Sequence, residues 1–337
     1  MKVYVDPACN INYSSFYIVG LRNIFGYRNI VFTSKYFKGL TYKNNTHILA
    51  FVIDNKRYVI DYADSNQIFY DEFLDWADIY GKVNYRTEFI PSTYGFKVCK
   101  VGANFSIACY GTNRYVAVFW CLKHYLQCFR RLKHSFLSFL SPYLCAYKRR
   151  ILPMTLTKIG SKHIFFVSRY WNGQDETNKI RINFIRACKR LDKEGIICFV
   201  GGMVPDELQH DCPKDVLLES EIPYKEYMEG IQNSLLVFNT PAYYYCHGWK
   251  LPEFLSQGKI ILSTPFVNEL PREMEHGKHI FYTESDEDSM YNSIKRIVLD
   301  INVQKQLLEG SISYWKLYAN PKACMNLFLQ DATRIVP

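Results

Sequence analysis

The chain has 337 residues, too many for one ordinary core and enough for two domains of about 150 residues each. Its 48% apolar and 22% charged content is that of a soluble globular protein without a long disordered stretch, while 27 Tyr and 23 Phe lift the aromatic share to 16%. The net charge of +9 is localised: from Phe89 to Gln174 there are thirteen Lys and Arg and no Asp or Glu, so the rest of the chain is net acidic.

MKVYVDP opens the chain as a strand rather than a secretory leader, and eleven cysteines without a CxxC pair suit free thiols in a reducing cytoplasm. A helix follows over about 14–24 and a strand at NIVFTS, 29–34. HILAFVID (47–54) and KRYVIDYAD (56–64) form two closely spaced strands, then come a helix near 65–79 and strands at VNYRTEF and FKVCKVG (96–102). This alternation predicts an open α/β sheet.

Residues 113–147 are long, aromatic and basic. Their longest run without charge, SFLSFLSPYLCAY, has 13 residues and contains Pro142, which is too short to span a bilayer. Lys123, Arg130, Arg131 and Lys133 among Phe, Trp, Tyr and Leu suit core-packed helices with a solvated basic face, with His124 and His134 on that face. They also suit an amphipathic surface against anionic lipid, or a nucleic-acid contact.

After Lys148-Arg149-Arg150 the pattern becomes cleaner, which places a domain boundary at 150–160. Strands are predicted at HIFFVSRYW (163–171), IICFVGG (196–202), VLLES (216–220), SLLVFNT (234–240), KIILSTP (259–265) and HIFYTES (279–285). Helices are predicted at 177–193, 224–233 and 286–308. Strands separated by helices imply a parallel doubly wound sheet, whose ligands bind beyond the carboxyl ends of the strands. Arg169 closes one strand and Lys179 begins the next helix, a pair able to hold a diphosphate or to serve in surface salt bridges. Gly248 permits close backbone approach. Lys250 and Glu253 share a helix face at i, i+3, suited to phosphate and ribose or to a local ion pair. His247, beside Cys246, can hydrogen-bond a ligand or hold the turn. Asp61 with Asp64, and Asp286 with Asp288, lie at a strand end and a helix start, where Asp is expected without a metal.

The order VSRYW…TNK, FVGG, EIPYKEYMEGIQNS, VFNTP, HGWKLPEFLSQGKIILST and NELPREMEHGKHIFYTES resembles the donor-binding domain of GT-B glycosyltransferases over roughly 163–285, about a third of the chain. The resemblance implies two Rossmann-like domains facing a central cleft: 1–155 for the acceptor, 156–310 for the nucleotide sugar, and 311–337 returning as a helix to the first. It implies that Arg169 and Lys179 contact the donor pyrophosphate, Glu253 the ribose and Gly248 the sugar, with Pro223 and Tyr224 beside the base. Lys250 matches a basic residue of some branches. Where many retaining members carry a first Glu, this chain has Tyr245, which leaves the sugar and the stereochemistry open. The acceptor base would come from the N-terminal domain, where Asp6, Asp64 and Asn104 are topologically placed.

The expectation is therefore a cytoplasmic hexosyltransferase of cell-surface glycan synthesis, using a nucleotide-diphosphate sugar and needing no metal or other cofactor. Its acceptor would be a glycan or a lipid-linked acceptor. Peripheral contact with the inner face of the membrane through 113–150 is part of that expectation, and nucleic acid is not. A non-catalytic GT-B-like scaffold and a basic nucleic-acid-binding protein are the rival readings.

Overall fold

The computed structural model describes residues 1–44, 46–155, 157–204 and 211–335. Leu156, at which the second domain is expected to open, lies outside the described residues, as do 336–337 of the closing helix. The strands are β1 (Val3–Val5), β2 (Ile30–Phe32), β3 (Ile48–Ile53), β4 (Lys56–Asp61), β5 (Ile79–Lys82), β6 (Val98–Lys100), β7 (His163–Arg169), β8 (Cys198–Val204), β9 (Leu236–Asn239), β10 (Ile260–Ser263) and β11 (Phe281–Tyr282). The helices are α1 (Ile11–Phe25), α2 (Asp71–Trp76), α3 (Arg114–Cys128), α4 (Phe136–Ala146), α5 (Asp175–Lys193), α6 (Tyr224–Asn233), α7 (Lys250–Ser256), α8 (Glu287–Leu299), α9 (Ile301–Tyr314) and α10 (Pro321–Ile335).

In the first lobe six strands lie in the order β2-β1-β3-β4-β5-β6. Asp54 and Asn55, at φ 47° and 65°, make the two-residue turn between β3 and β4. Successive left-handed residues match the twist of a hairpin, and Asp and Asn tolerate that region. The hairpin makes β3 antiparallel to both neighbours, whereas β1 with β2 and β4 with β5 and β6 run parallel. VNYRTEF is not a strand; the ladder uses Ile79–Lys82 just before it, which shortens the preceding helix to Asp71–Trp76. His124 is not on the basic face but buried, its ring 4.2 Å from that of Phe32 and its Nδ1 2.7 Å from Tyr143 Oη.

In the second lobe β7 pairs parallel with β8, and β9, β10 and β11 form a parallel ladder. The two ladders meet where β7 lies beside β9, with Leu235 N donating to His163 O at 2.8 Å. VLLES forms a 3-10 turn and a single bridge from Leu217 to Met203 rather than a strand. The stretch 286–308 divides at Asp300, whose carboxylate accepts from Asn302 N and Val303 N and starts α9 as a new helix. After α9 the chain returns to the first lobe: α10 packs on α1, and Phe328 reaches the rings of Phe51 and Tyr58. The result is an α/β fold of two lobes about a cleft. Among the described residues no helix is long and apolar enough to cross a membrane.

Gly310 lets α9 approach the segment before β11, because a Cβ there would lie 1.8 Å from Lys278 O. Gly310→Ala gains about 1 kcal/mol in helix propensity, but it must displace backbone, and overpacking of this kind costs about 3 kcal/mol. The net expectation is a loss of about 2 kcal/mol, read as a lower urea midpoint at unchanged slope.

Candidate functional site

A cavity of about 490 Å³ opens between the lobes. On the second lobe it is floored by the ends of β7 (Val167, Ser168, Arg169) and β8 (Val204) and by Thr240 just after β9. This is the edge at which parallel α/β sheets take ligands. Gly248, Trp249 and Lys250 form the wall entering α7, while Tyr13 and Asp64 come from the first lobe. Polar bonds hold the lobes in register. His247 N donates to Asn84 Oδ1 at 2.8 Å, and Glu269 accepts from Thr87 N at 2.9 Å and pairs with Lys100 at 2.6 Å.

Among the described residues three cations reach the cavity. Arg169 is exposed at its rim and pairs with Glu221. Arg181 is buried; its Nη1 donates to Arg169 O at 2.8 Å, and its guanidinium lies 4.1 Å from the centre of the Trp171 ring. Burial lowers its pKa to about 10, which leaves it charged at neutral pH. Lys250 Nζ donates to Val167 O at 2.8 Å. Burial first, then the neighbouring Arg181 charge, push the Lys250 ammonium down to about 7, with Glu253 opposing them. Ser168 Oγ, also in the wall, has no hydrogen-bond partner among the described residues.

The sequence-predicted residues divide between cavity and surroundings. Arg169, Gly248 and Lys250 line it. Lys179 instead faces solvent on α5, and Arg181, two residues later, occupies the inward position. Glu253 is buried behind Lys250; its Oε1 lies 3.6 Å from Arg149 Nη1 and accepts from Tyr224 Oη at 3.4 Å. Burial raises the Glu253 pKa, against the pull of Arg149 and Lys250. Tyr224 stacks under the Arg149 guanidinium at 4.4 Å, and Pro223 is the exposed residue that starts α6. His247 lies behind the wall against Phe266; burial drives its imidazole down to about 4, so the ring is neutral.

Asp64 stands alone among the acceptor-base candidates in lining the cavity. Asp6 is buried and bonded to Arg131 at 2.8 Å, and Asn104 Nδ2 donates to Tyr13 O. Desolvation raises the Asp64 pKa, while His47 and the Cys246 thiol partly offset that rise. Asp61 is committed to the core by its pair with Lys82 at 2.9 Å, Asp286 caps α8, and Asp288 bonds Arg190. Tyr245 donates to Glu176 from a turn in which Tyr244 and Tyr245 have φ of 51° and 60°.

No family model and no curated protein matches this chain. Among solved structures its similarity falls with GT-B glycosyltransferases and related UDP-sugar enzymes. An alpha,alpha-trehalose-phosphate synthase (UDP-forming) from Burkholderia vietnamiensis is 13% identical at TM-score 0.42, covering 79% of this chain and 63% of that one. HepE from Anabaena in complex with UDP-glucose is 12% identical at TM-score 0.36, covering 78% of this chain and 67% of that one. A UDP-GlcNAc 2-epimerase from Neisseria meningitidis is 14% identical at TM-score 0.38, covering 79% of this chain and 63% of that one. The chain thus spans less than two thirds of the synthase and of the epimerase.

Arg181, Trp171 and Asp64 are what the sequence reading left without a role in donor binding. A signal for Arg181 was present: with Phe184, Ile185 and Cys188 it lies at i, i+3, i+4 and i+7, a charge on the apolar face of α5. Lys179 falls on the other side of that helix.

Proposed function

We propose that the chain transfers a sugar, a hexose in the simplest case, from a nucleotide-diphosphate donor to an acceptor hydroxyl. One observation carries this reading: Arg169, Arg181 and Lys250 converge at the strand ends of one lobe, facing the carboxylate of Asp64 from the other. The cations, with the unpartnered Ser168 hydroxyl, would hold the diphosphate and offset the charge that develops as it leaves. Asp64 would accept the proton of the attacking hydroxyl. The acceptor oxygen then bonds the anomeric carbon, and the carbon–oxygen bond to phosphate breaks with its electron pair on the leaving diphosphate. Tyr13, Tyr243 and Trp249 offer ring faces for sugar stacking at the mouth. Glu253 would act at the nucleoside end, orienting Arg149 and Tyr224 or taking the ribose hydroxyls, and Lys179 is left to the surface. The acceptor assigned here is a glycan or lipid-linked sugar of cell-surface glycan synthesis, met at the cytoplasmic side.

A panel of nucleoside diphosphates and their sugars, screened by thermal shift, tests the reading. One of them at 100 times its dissociation constant should add about 2.7 kcal/mol of stability. Arg181→Met should erase that shift, and Asp64→Asn should keep it while lowering transfer by at least about 100-fold. Absence of a shift with every nucleotide would overturn the proposal in favour of a scaffold.

A further inference from the structure

Helix α3 is apolar on two opposite sides. Ala117, Cys121, His124 and Cys128, spaced by four, three and four, are buried toward α4 and β2. The opposite row, Tyr115, Phe119, Leu122 and Leu126, has the same spacing and faces water, with exposures of 83, 60, 45 and 71%. Phe129, 47% exposed, prolongs the row. Single exposed apolar residues are ordinary, whereas a continuous row of large ones marks a surface that is covered in use.

Basic groups surround one end of this row. Lys35, Lys38 and Arg130 line a surface hollow of about 400 Å³ whose apolar edge is Leu126 and Phe129. Lys123 lies along the row with its ammonium 4.6 Å from the centre of the Trp120 ring. Among the described residues no acidic side chain lines the hollow, and the sequence has none between residues 89 and 174.

We infer that this face docks on an anionic lipid surface, the aromatic and leucine row entering the headgroup and acyl boundary while the hollow holds a lipid phosphate. Charge complementarity selects this occupant. A second copy laid on the same patch would oppose like charges across a two-fold axis. A nucleic acid would satisfy the lysines but leave the leucines without an apolar partner. The inference does not depend on the reaction proposed for the cleft.

The test is flotation of the full chain with vesicles of phosphatidylcholine alone and with about 30% phosphatidylglycerol, at low and high salt. Binding should be at least about 10-fold tighter to the anionic vesicles and should weaken with salt. Phe119→Ser with Leu126→Ser should lower it about 100-fold. Lys35→Ala, Lys38→Ala and Arg130→Ala together should do the same, each near fivefold. All five residues are exposed, so both variants should keep the wild-type circular dichroism melt, and the charge variant reads the face even if the serine variant does not fold. No binding to anionic vesicles, binding that survives both sets of substitutions, or a solution dimer dispersed by the serine variant would overturn the inference.

Discussion

Asp61→Ala is expected to destabilise the protein by about 3–5 kcal/mol, the cost of leaving one partner of a buried ion pair uncompensated. Asp61 and Lys82 are both fully buried. Asp61 Oδ2 accepts from Lys82 Nζ at 2.9 Å and from Tyr80 Oη at 2.8 Å, and its Oδ1 accepts from Ala63 N at 2.9 Å. Removing the carboxylate therefore strands a buried ammonium, a buried hydroxyl and an amide together. Asp61→Leu combined with Lys82→Met should recover most of the loss, because an apolar pair replaces two charges that must be desolvated. Equilibrium denaturation of the three proteins separates the cases, and equal loss in single and double variants would show that packing, not charge, dominates. Asp61 also anchors the turn that carries Asp64 into the cleft, so the single variant should lose transfer activity along with stability.

Lys250→Met should have the opposite effect on stability, raising it by about 2 kcal/mol at neutral pH while abolishing any nucleotide-induced shift. Burial holds the Lys250 ammonium at about 7 against an ordinary value of 10.5. Each unit of such a difference corresponds to about 1.4 kcal/mol. The gain falls short of the whole difference because the Val167 carbonyl loses its donor. The sign of the pH dependence follows. Between about 7 and 10.5 the unfolded chain binds the proton that the folded lysine has released, so this group makes wild-type stability rise with pH across that window. Its contribution is complete above the unfolded value and lost as pH falls through about 7; the methionine variant should lack the slope. A diphosphate favours the charged ammonium, so affinity should be greatest below about pH 7 and fall by up to about tenfold per unit above it. Calorimetric titration across this range would refute the assignment if affinity were flat.

The second lobe was the more legible half of the sequence. Its helices α5, α6 and α7 are each bracketed by strands with the apolar runs expected of a parallel sheet, and HIFFVSR, FVGG, LVFN and IILS all fall within the strands formed. The first lobe hid more, because a strand that enters by a two-residue hairpin carries the same apolar pattern whichever way it runs. Lys250 could be placed in advance because it follows Gly248 at a turn between a strand and a helix. Glu253 was also found, but its direction was not. Three residues along a helix is about 60° short of a full turn, enough to send one side chain into the cavity and the next toward Arg149. Lys179 and Arg181 differ by two positions on α5, hence by nearly the opposite face. Arg149 could not be read locally at all, since its partners lie more than seventy residues away and are brought close only by the lobes meeting.

The return of α10 to the first lobe bears on how the protein is made. Gly20 and Gly81 are vacant of side chain where Met325 and Phe328 sit, so part of the first sheet is shaped to receive residues encoded more than two hundred codons later. At about 5–20 residues per second of synthesis, that surface stays uncovered for roughly 10–50 s while the second lobe is translated. The first lobe is thus the earlier to be synthesised and the later to be finished, and its uncovered apolar face is the natural point of engagement for a chaperone during that interval.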